Sequence, residues 1–96
     1  MERLGQTMQL ITLTPRLGSY FGTEHGVLVL RAPAAGALKL EDGDVILTIG
    51  GRAPASSSQA IRILTSYDPG EKISLVVLRA HHRLNITATL PPQPGR

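Results

Sequence analysis

The sequence predicts a domain that is mainly β with some α. The expected architecture is a small, partly open barrel or sandwich of about five strands, capped by one main helix and one or two short helical turns. Three observations predict this class. The chain has 96 residues, which is enough for one core. Five short apolar segments are separated by Gly, Pro and polar turn residues. One further segment has the spacing of an amphipathic helix.

The five predicted strands are short apolar or β-branched runs bounded by turn residues. They cover residues 8–13, 26–31, 44–49, 73–78 and 84–90. The last run alternates between apolar and polar side chains, with Leu84, Ile86, Ala88 and Leu90 on one face and Asn85, Thr87 and Thr89 on the other. The last two strands are joined by residues 80–82, a span short enough for a hairpin.

The main helix is predicted over residues 57–66. Three serines at 56–58 offer hydroxyl groups that can accept hydrogen bonds from the first helical N–H groups. The apolar stripe has i, i+3, i+4 spacing and consists of Ala60, Ile61, Ile63 and Leu64. The segment Asp68-Pro69-Gly70 ends the helix. Shorter helical turns are expected after Pro15, over residues 16–21, and in the Ala-rich residues 34–37.

Composition excludes several classes of function. The chain has 10 Lys and Arg against 7 Asp and Glu, a net charge of +3, and only 3% aromatic residues. Because it has no basic stripe and little aromatic surface for stacking, we expect no nucleic-acid partner. The absence of Cys rules out disulfides, thiolate metal sites and Cys nucleophiles. No apolar run approaches the ~18 residues of a membrane span and no signal peptide is recognisable, so we expect no membrane insertion by this chain.

The domain is predicted to cover residues 1–90. The tail over residues 91–96 is rich in Pro and is typical of an extended linker. We expect the isolated chain to be a monomer.

Several polar groups resemble parts of catalytic or metal sites, but each has a simpler structural explanation. The serines at 56–58 lack the Gly-x-Ser-x-Gly turn of a nucleophile and fit helix capping. His81 and His82 are adjacent in a strand region, so they point to opposite faces, and His25 is distant in sequence. The carboxylates at 41, 42 and 44 fit turn formation, because the calcium-loop pattern is absent. The Asn-Ile-Thr sequence at 85–87 lies inside a strand. We therefore expect no catalytic residue, no metal and no cofactor.

Three segments together resemble a PDZ domain, over about residues 8–90. Residues 40–51 read LEDGDVILTIGG and are similar to the family's Leu-x-x-Gly-Asp-x-Ile-Leu-x-Ile-Asn-Gly segment, with Gly50 where Asn is usual. Residues 57–64 resemble the family's groove helix. Residues 11–15, followed by Leu17 and Phe21, resemble the permuted HtrA/Deg protease type, which is bacterial. In that type the peptide-binding strand comes first, and the strand that begins ordinary PDZ domains comes last.

The resemblance implies a peptide-binding module. A peptide with a hydrophobic C-terminus would add as a strand between the first strand and the main helix. The family's carboxylate-binding loop, x-Φ-Gly-Φ, falls on residues 5–8, where only Met8 fits the pattern. The implied binding residues are Gly5, Gln6, Thr7, Met8, Gln9, Leu10, Ser57, Ala60, Ile61 and Leu64.

Two functions stay open on this resemblance. The first is a regulatory or substrate-recruiting domain of a larger envelope protein or protease, with a location in the periplasm or cell envelope. The second is a structural or self-association module whose altered loop does not capture free C-termini.

Overall fold

Five strands form one antiparallel sheet in a computed structural model that describes residues 9–32, 38–68 and 70–89. The elements in chain order are β1 (Gln9–Thr12), α1 (Pro15–Gly18), β2 (Val27–Arg31), β3 (Val45–Ile49), α2 (Ser57–Thr65), β4 (Lys72–Arg79) and β5 (His82–Thr89). The order across the sheet is β1-β2-β3-β4-β5. The predicted class, mainly β with one main helix, is confirmed. The turn expected at residues 34–37 and the tail at 91–96 lie outside the described residues.

The two faces of the sheet bury separate hydrophobic clusters. Alternate residues along β2 point to opposite faces, so Val27 and Val29 join one cluster and Leu28 joins the other. The first cluster, which we call the helix-side cluster, also contains Ala60, Ile63 and Leu64 of α2. The second cluster contains Leu13, Leu28 and Val45. Leu17 of α1 and Phe21, which follows α1, are partly buried and pack against this cluster. The sheet is therefore covered by α2 on one face and by the α1 region on the other.

Both helices begin at a capped residue. Thr14 Oγ1 accepts a hydrogen bond from Leu17 N (3.2 Å), and Pro15 occupies the first position of α1, where its fixed φ is favourable. Ser56 Oγ accepts from Gln59 N (3.1 Å) at the start of α2. The capping explanation for the serines is thus the arrangement observed. α1 is shorter than predicted, and α2 ends one residue before the predicted limit.

The β4–β5 hairpin is longer than the sequence pattern predicted. Its turn consists of Ala80 and His81, with φ values of 52° and 68°. Two left-handed residues match the twist of the flanking strands, so pairing continues up to the turn. His82 therefore belongs to β5 and pairs with Arg79, whereas the sequence placed it in the turn. The predicted alternation holds in β5, because Ile86 and Ala88 are buried and the threonines are exposed.

Asp44 is a buried carboxylate, 1% exposed, and it organises the turn before β3. Its Oδ2 accepts from Glu41 N (2.9 Å) and from Arg79 Nη2 (2.7 Å), while Oδ1 accepts from Arg79 Nε (2.8 Å). The hydrogen bonds from Arg79 to Asp44 raise the pKa of Arg79, so the guanidinium stays charged. Glu41 adds a second carboxylate at 3.3 Å from Arg79. The carboxylates of Glu41 and Asp44 therefore serve the turn and two ion pairs to Arg79, in agreement with the structural role predicted for them.

Gly50 stands where the family segment usually has Asn, and local packing explains this difference. Its φ is +58°, a left-handed conformation that Gly and Asn tolerate. A Cβ at this position would collide with the hydroxyl of Tyr67, which lies directly over the glycine. The space that an Asn side chain needs is therefore occupied by Tyr67 in this chain.

Candidate functional site

A cavity of about 420 Å³ lies between β1 and the first half of α2. We call it the groove. The described residues that line it are Gln9, Leu10, Ile11, Leu30, Ser57, Ser58 and Ile61. Most of this lining is apolar, and the two serines place hydroxyl groups at the start of the helix.

One wall of the groove is a strand edge. β1 is the first strand in the sheet order and pairs only with β2 among the described residues. Its other edge consequently presents backbone N–H and C=O groups that have no strand partner there. Leu10 packs against the helix-side cluster together with Ile61, whereas Ile11 packs against the opposite cluster. The side chain of Leu10 thus faces the helix across the groove.

The two walls are joined at one end. Ser57 N, the first N–H of α2, donates to Thr12 Oγ1 at the last residue of β1 (2.9 Å). A first-turn helical N–H has no intrahelical partner, so the Thr12 side chain satisfies it. The helix therefore begins beside the end of β1, and Ile61 follows one turn later.

The structure brings together part of the predicted binding set. Gln9, Leu10, Ser57 and Ile61 all line the groove. Ala60 and Leu64 are fully buried in the helix-side cluster and are not among the lining residues. The predicted carboxylate loop, Gly5, Gln6, Thr7 and Met8, lies outside the described residues.

Sequence reasoning missed three lining residues: Ile11, Leu30 and Ser58. Leu30 is the informative one, because it is an apolar side chain on β2 that is 51% exposed. Its neighbour Val29 is fully buried, whereas Leu30 is left exposed at the groove. An exposed Leu in a strand next to the edge strand is a signal for a binding surface only once the strand order is known.

Neither a metal-binding cluster nor a membrane-spanning helix is found in residues 9–32, 38–68 and 70–89. Within these ranges, no three His, Asp or Glu side chains are grouped closely enough to hold a metal ion. In the same ranges, no helix has the length and apolar character needed to cross a membrane. Ser56 Oγ caps α2 and lies 3.1 Å from Ser58 Oγ, with no histidine among its partners.

Comparisons with known proteins identify the family. A PDZ domain model matches residues 3–90. The chain is 32% identical to protease Do-like 1, chloroplastic, from Arabidopsis thaliana, in an alignment that covers 72% of this chain and 19% of that protein. The chain therefore belongs to the PDZ domain family, with homology to the HtrA/Deg proteases.

Two solved structures share the fold. The HtrA-type protease AlgW, solved with a decapeptide, has a TM-score of 0.75 and 30% identity, over 94% of this chain and 29% of that one. The HtrA3 PDZ domain bound to a phage-derived ligand (FGRWV) has a TM-score of 0.69 and 24% identity, over 86% of this chain and 80% of that one. The chain thus spans 19% of protease Do-like 1 and 29% of the AlgW chain, and the part matched is the PDZ domain, which is not catalytic alone.

Proposed function

We propose that this chain is a non-catalytic module that binds an extended peptide, with a hydrophobic C-terminal residue, by strand addition between β1 and α2. The observation that carries the proposal is the groove itself, an apolar cavity of about 420 Å³ beside an unpaired strand edge. Backbone groups of β1 would bind the peptide main chain, and the groove would select side chains. The peptide-bound state of the AlgW and HtrA3 structures supports the same role here.

The pairing in the sheet favours an antiparallel orientation for the peptide. Every pairing in the described sheet is antiparallel, so an added strand would run opposite to β1. Its C-terminal residue would then lie near Gln9 and the preceding loop, and an earlier residue would lie beside Ser57. Leu10 and Ile61 would contact the apolar side chains that face α2.

We further propose that the module recruits substrates or regulates a larger envelope protein or protease. The relatives that it matches are proteases, of which it spans the PDZ domain. One of these relatives is chloroplastic. For this chain we propose a location in the periplasm or cell envelope.

The test is a titration of a hexapeptide with a free C-terminal Val into the isotope-labelled chain. Main-chain pairing plus one filled pocket is expected to give a Kd on the order of micromolar. Amide shift changes should cluster on β1 and the first half of α2. Ile61→Lys should abolish binding, because it places a charge in the apolar groove while Ile61, only partly buried, is replaceable without unfolding.

The matched control is Thr87→Lys, which adds the same charge on the exposed face of β5. It should bind the peptide like the wild type. Shift changes confined to β5, or equal loss of binding in both variants, would overturn the groove assignment.

A second peptide, amidated at its C-terminus, separates the two functions left open by the sequence. If residues 5–8 capture a carboxylate, amidation removes a hydrogen bond to a charged group and weakens binding by tenfold or more. We propose that amidation weakens peptide binding by less than this, because Gln6 and Thr7 replace the residues usual in the loop. We also propose that Thr7→Gly strengthens binding of the terminal carboxylate. A hundredfold loss on amidation that Thr7→Gly leaves unchanged would contradict this. Failure of both peptides to bind would favour the structural or self-association module.

A further inference from the structure

A second cleft lies on the side of α2 away from the groove. It has a volume of about 370 Å³ and is lined by Arg52, Ala53, Gln59, Arg62, Ile63 and Ser66. None of these residues lines the groove. Arg52 is held in place by a pair of backbone hydrogen bonds with Ile49, and Arg62 lies in the last turn of α2.

The walls of this cleft present hydrogen-bond donors. The ion pairs found in residues 9–32, 38–68 and 70–89 all involve Arg79, so neither Arg52 nor Arg62 has a carboxylate partner within those ranges. Gln59 Oε1 accepts from Ala55 N, which fixes the amide and leaves its NH₂ group free to donate. None of the described lining residues carries a carboxylate. Two guanidinium groups and an amide donor are a set that complements an anion.

The lining of the cleft includes two apolar residues, and they favour an anion that carries an aliphatic group. Ala53 is exposed and Ile63 is 7% exposed, so the two residues add a small apolar surface to the lining of the cleft. A bare phosphate ion gains nothing from such a surface, whereas the methylene groups of a Glu side chain pack against it. The volume also exceeds what one small anion fills.

We propose that this cleft, between the β3–α2 connection and the second half of α2, is a docking surface for an acidic protein segment that contains Glu. Arg52 and Arg62 bind its carboxylates, Gln59 donates to them, and Ile63 contacts its aliphatic stems. This surface is independent of the groove, so a partner held here leaves β1 free for a peptide C-terminus.

The probe is an acetylated and C-terminally amidated peptide with four Glu residues, which has no free carboxyl end for the groove. The comparison peptide has Gln at each of the four positions. We expect amide shift changes at Arg52, Ala53 and Arg62 with the Glu peptide only, and weaker binding at higher salt because exposed ion pairs are screened. Exposed pairs are individually weak, so Arg52→Gln and Arg62→Gln should each weaken binding about two- to fivefold, and the double variant about tenfold.

Arg16→Gln is the matched control, because Arg16 is an exposed arginine on α1. It removes the same charge from the opposite side of the sheet and should leave binding unchanged. Equal weakening by Arg16→Gln would show attraction to net charge alone and would overturn the proposal. Binding of the Gln peptide with equal affinity, shifts at Gln9 and Leu10 instead, or displacement of the Glu peptide by an equal concentration of inorganic phosphate would also overturn it.

Discussion

Tyr67 and Gly50 form a steric pair that a double-mutant cycle can measure. The left-handed φ of Gly50 costs a residue with a Cβ about 1–2 kcal/mol. Gly50→Ala should destabilise the wild-type chain by about 3 kcal/mol, because the new methyl group also meets the Tyr67 hydroxyl. In a Tyr67→Phe background the nearest ring carbon lies 3.5 Å from the added Cβ, an ordinary contact, so only the backbone cost should remain. Urea unfolding of the four proteins measures the difference. Identical effects of Gly50→Ala in both backgrounds would contradict the steric explanation.

Arg79 is expected to matter more to stability than any exposed arginine. Arg79→Ala leaves the buried Asp44 carboxylate without its cation, and the unfolding free energy should fall by about 3 kcal/mol. Arg83, an exposed arginine of β5, is the matched control, and Arg83→Ala should change it by less than about 0.5 kcal/mol. The readout is the urea midpoint at constant slope. If Arg79→Ala unfolds at the wild-type midpoint, the ion pair contributes nothing and this account of Asp44 is wrong.

Thr12 connects two elements that are far apart in sequence. Thr12→Val removes the acceptor for Ser57 N and should lower stability by about 1 kcal/mol. Because the same bond holds α2 against the end of β1, a groove peptide should bind about two- to fivefold more weakly. Thr87→Val, on the exposed face of β5, should leave peptide affinity unchanged. Titrations with the groove peptide measure the affinity of both variants. Equal affinities for Thr12→Val and the wild type would show that the groove does not need the hydrogen bond between Thr12 and Ser57.

The elements of the groove were largely predictable, but their contacts were not. Short apolar runs between turn residues predicted β2 and β3, and the spacing of apolar residues predicted α2. The helical stripe included both Ala60 and Ile61, which are adjacent and lie about 100° apart around the helix axis. Only packing against the sheet decides that Ala60 is buried and Ile61 reaches the groove. The register shift between Gln9 and Leu10 likewise depends on pairing with β2, which no local pattern predicts.

At the scale of the whole molecule, the sequence predicts that the domain ends near residue 90. Removal of residues 91–96 should leave the urea midpoint unchanged, since that segment offers Pro, Gln, Gly and Arg but no large apolar side chain. The control is the full chain, unfolded under the same conditions. A midpoint lowered by the truncation would extend the domain into the tail.

The isolated chain is also expected to lack hydrolytic activity. Its serines at the start of α2 serve capping, and no Cys is available as a nucleophile. A fluorophosphonate probe that labels an active serine protease in parallel should leave this chain unlabelled. Stoichiometric labelling would show a reactive serine and contradict the prediction.

The described part of β1 offers few positions at which one partner sequence could be distinguished from another under the proposed strand addition. That part consists of four residues, Gln9–Thr12, and alternation would direct only about half of the side chains of a strand added there toward α2. A pattern of two or three side chains occurs by chance at the C-termini of many proteins in a proteome. Discrimination among those ends must then come from how many of them are unfolded, accessible and locally abundant. The proposed module would then select its partners by availability as much as by sequence.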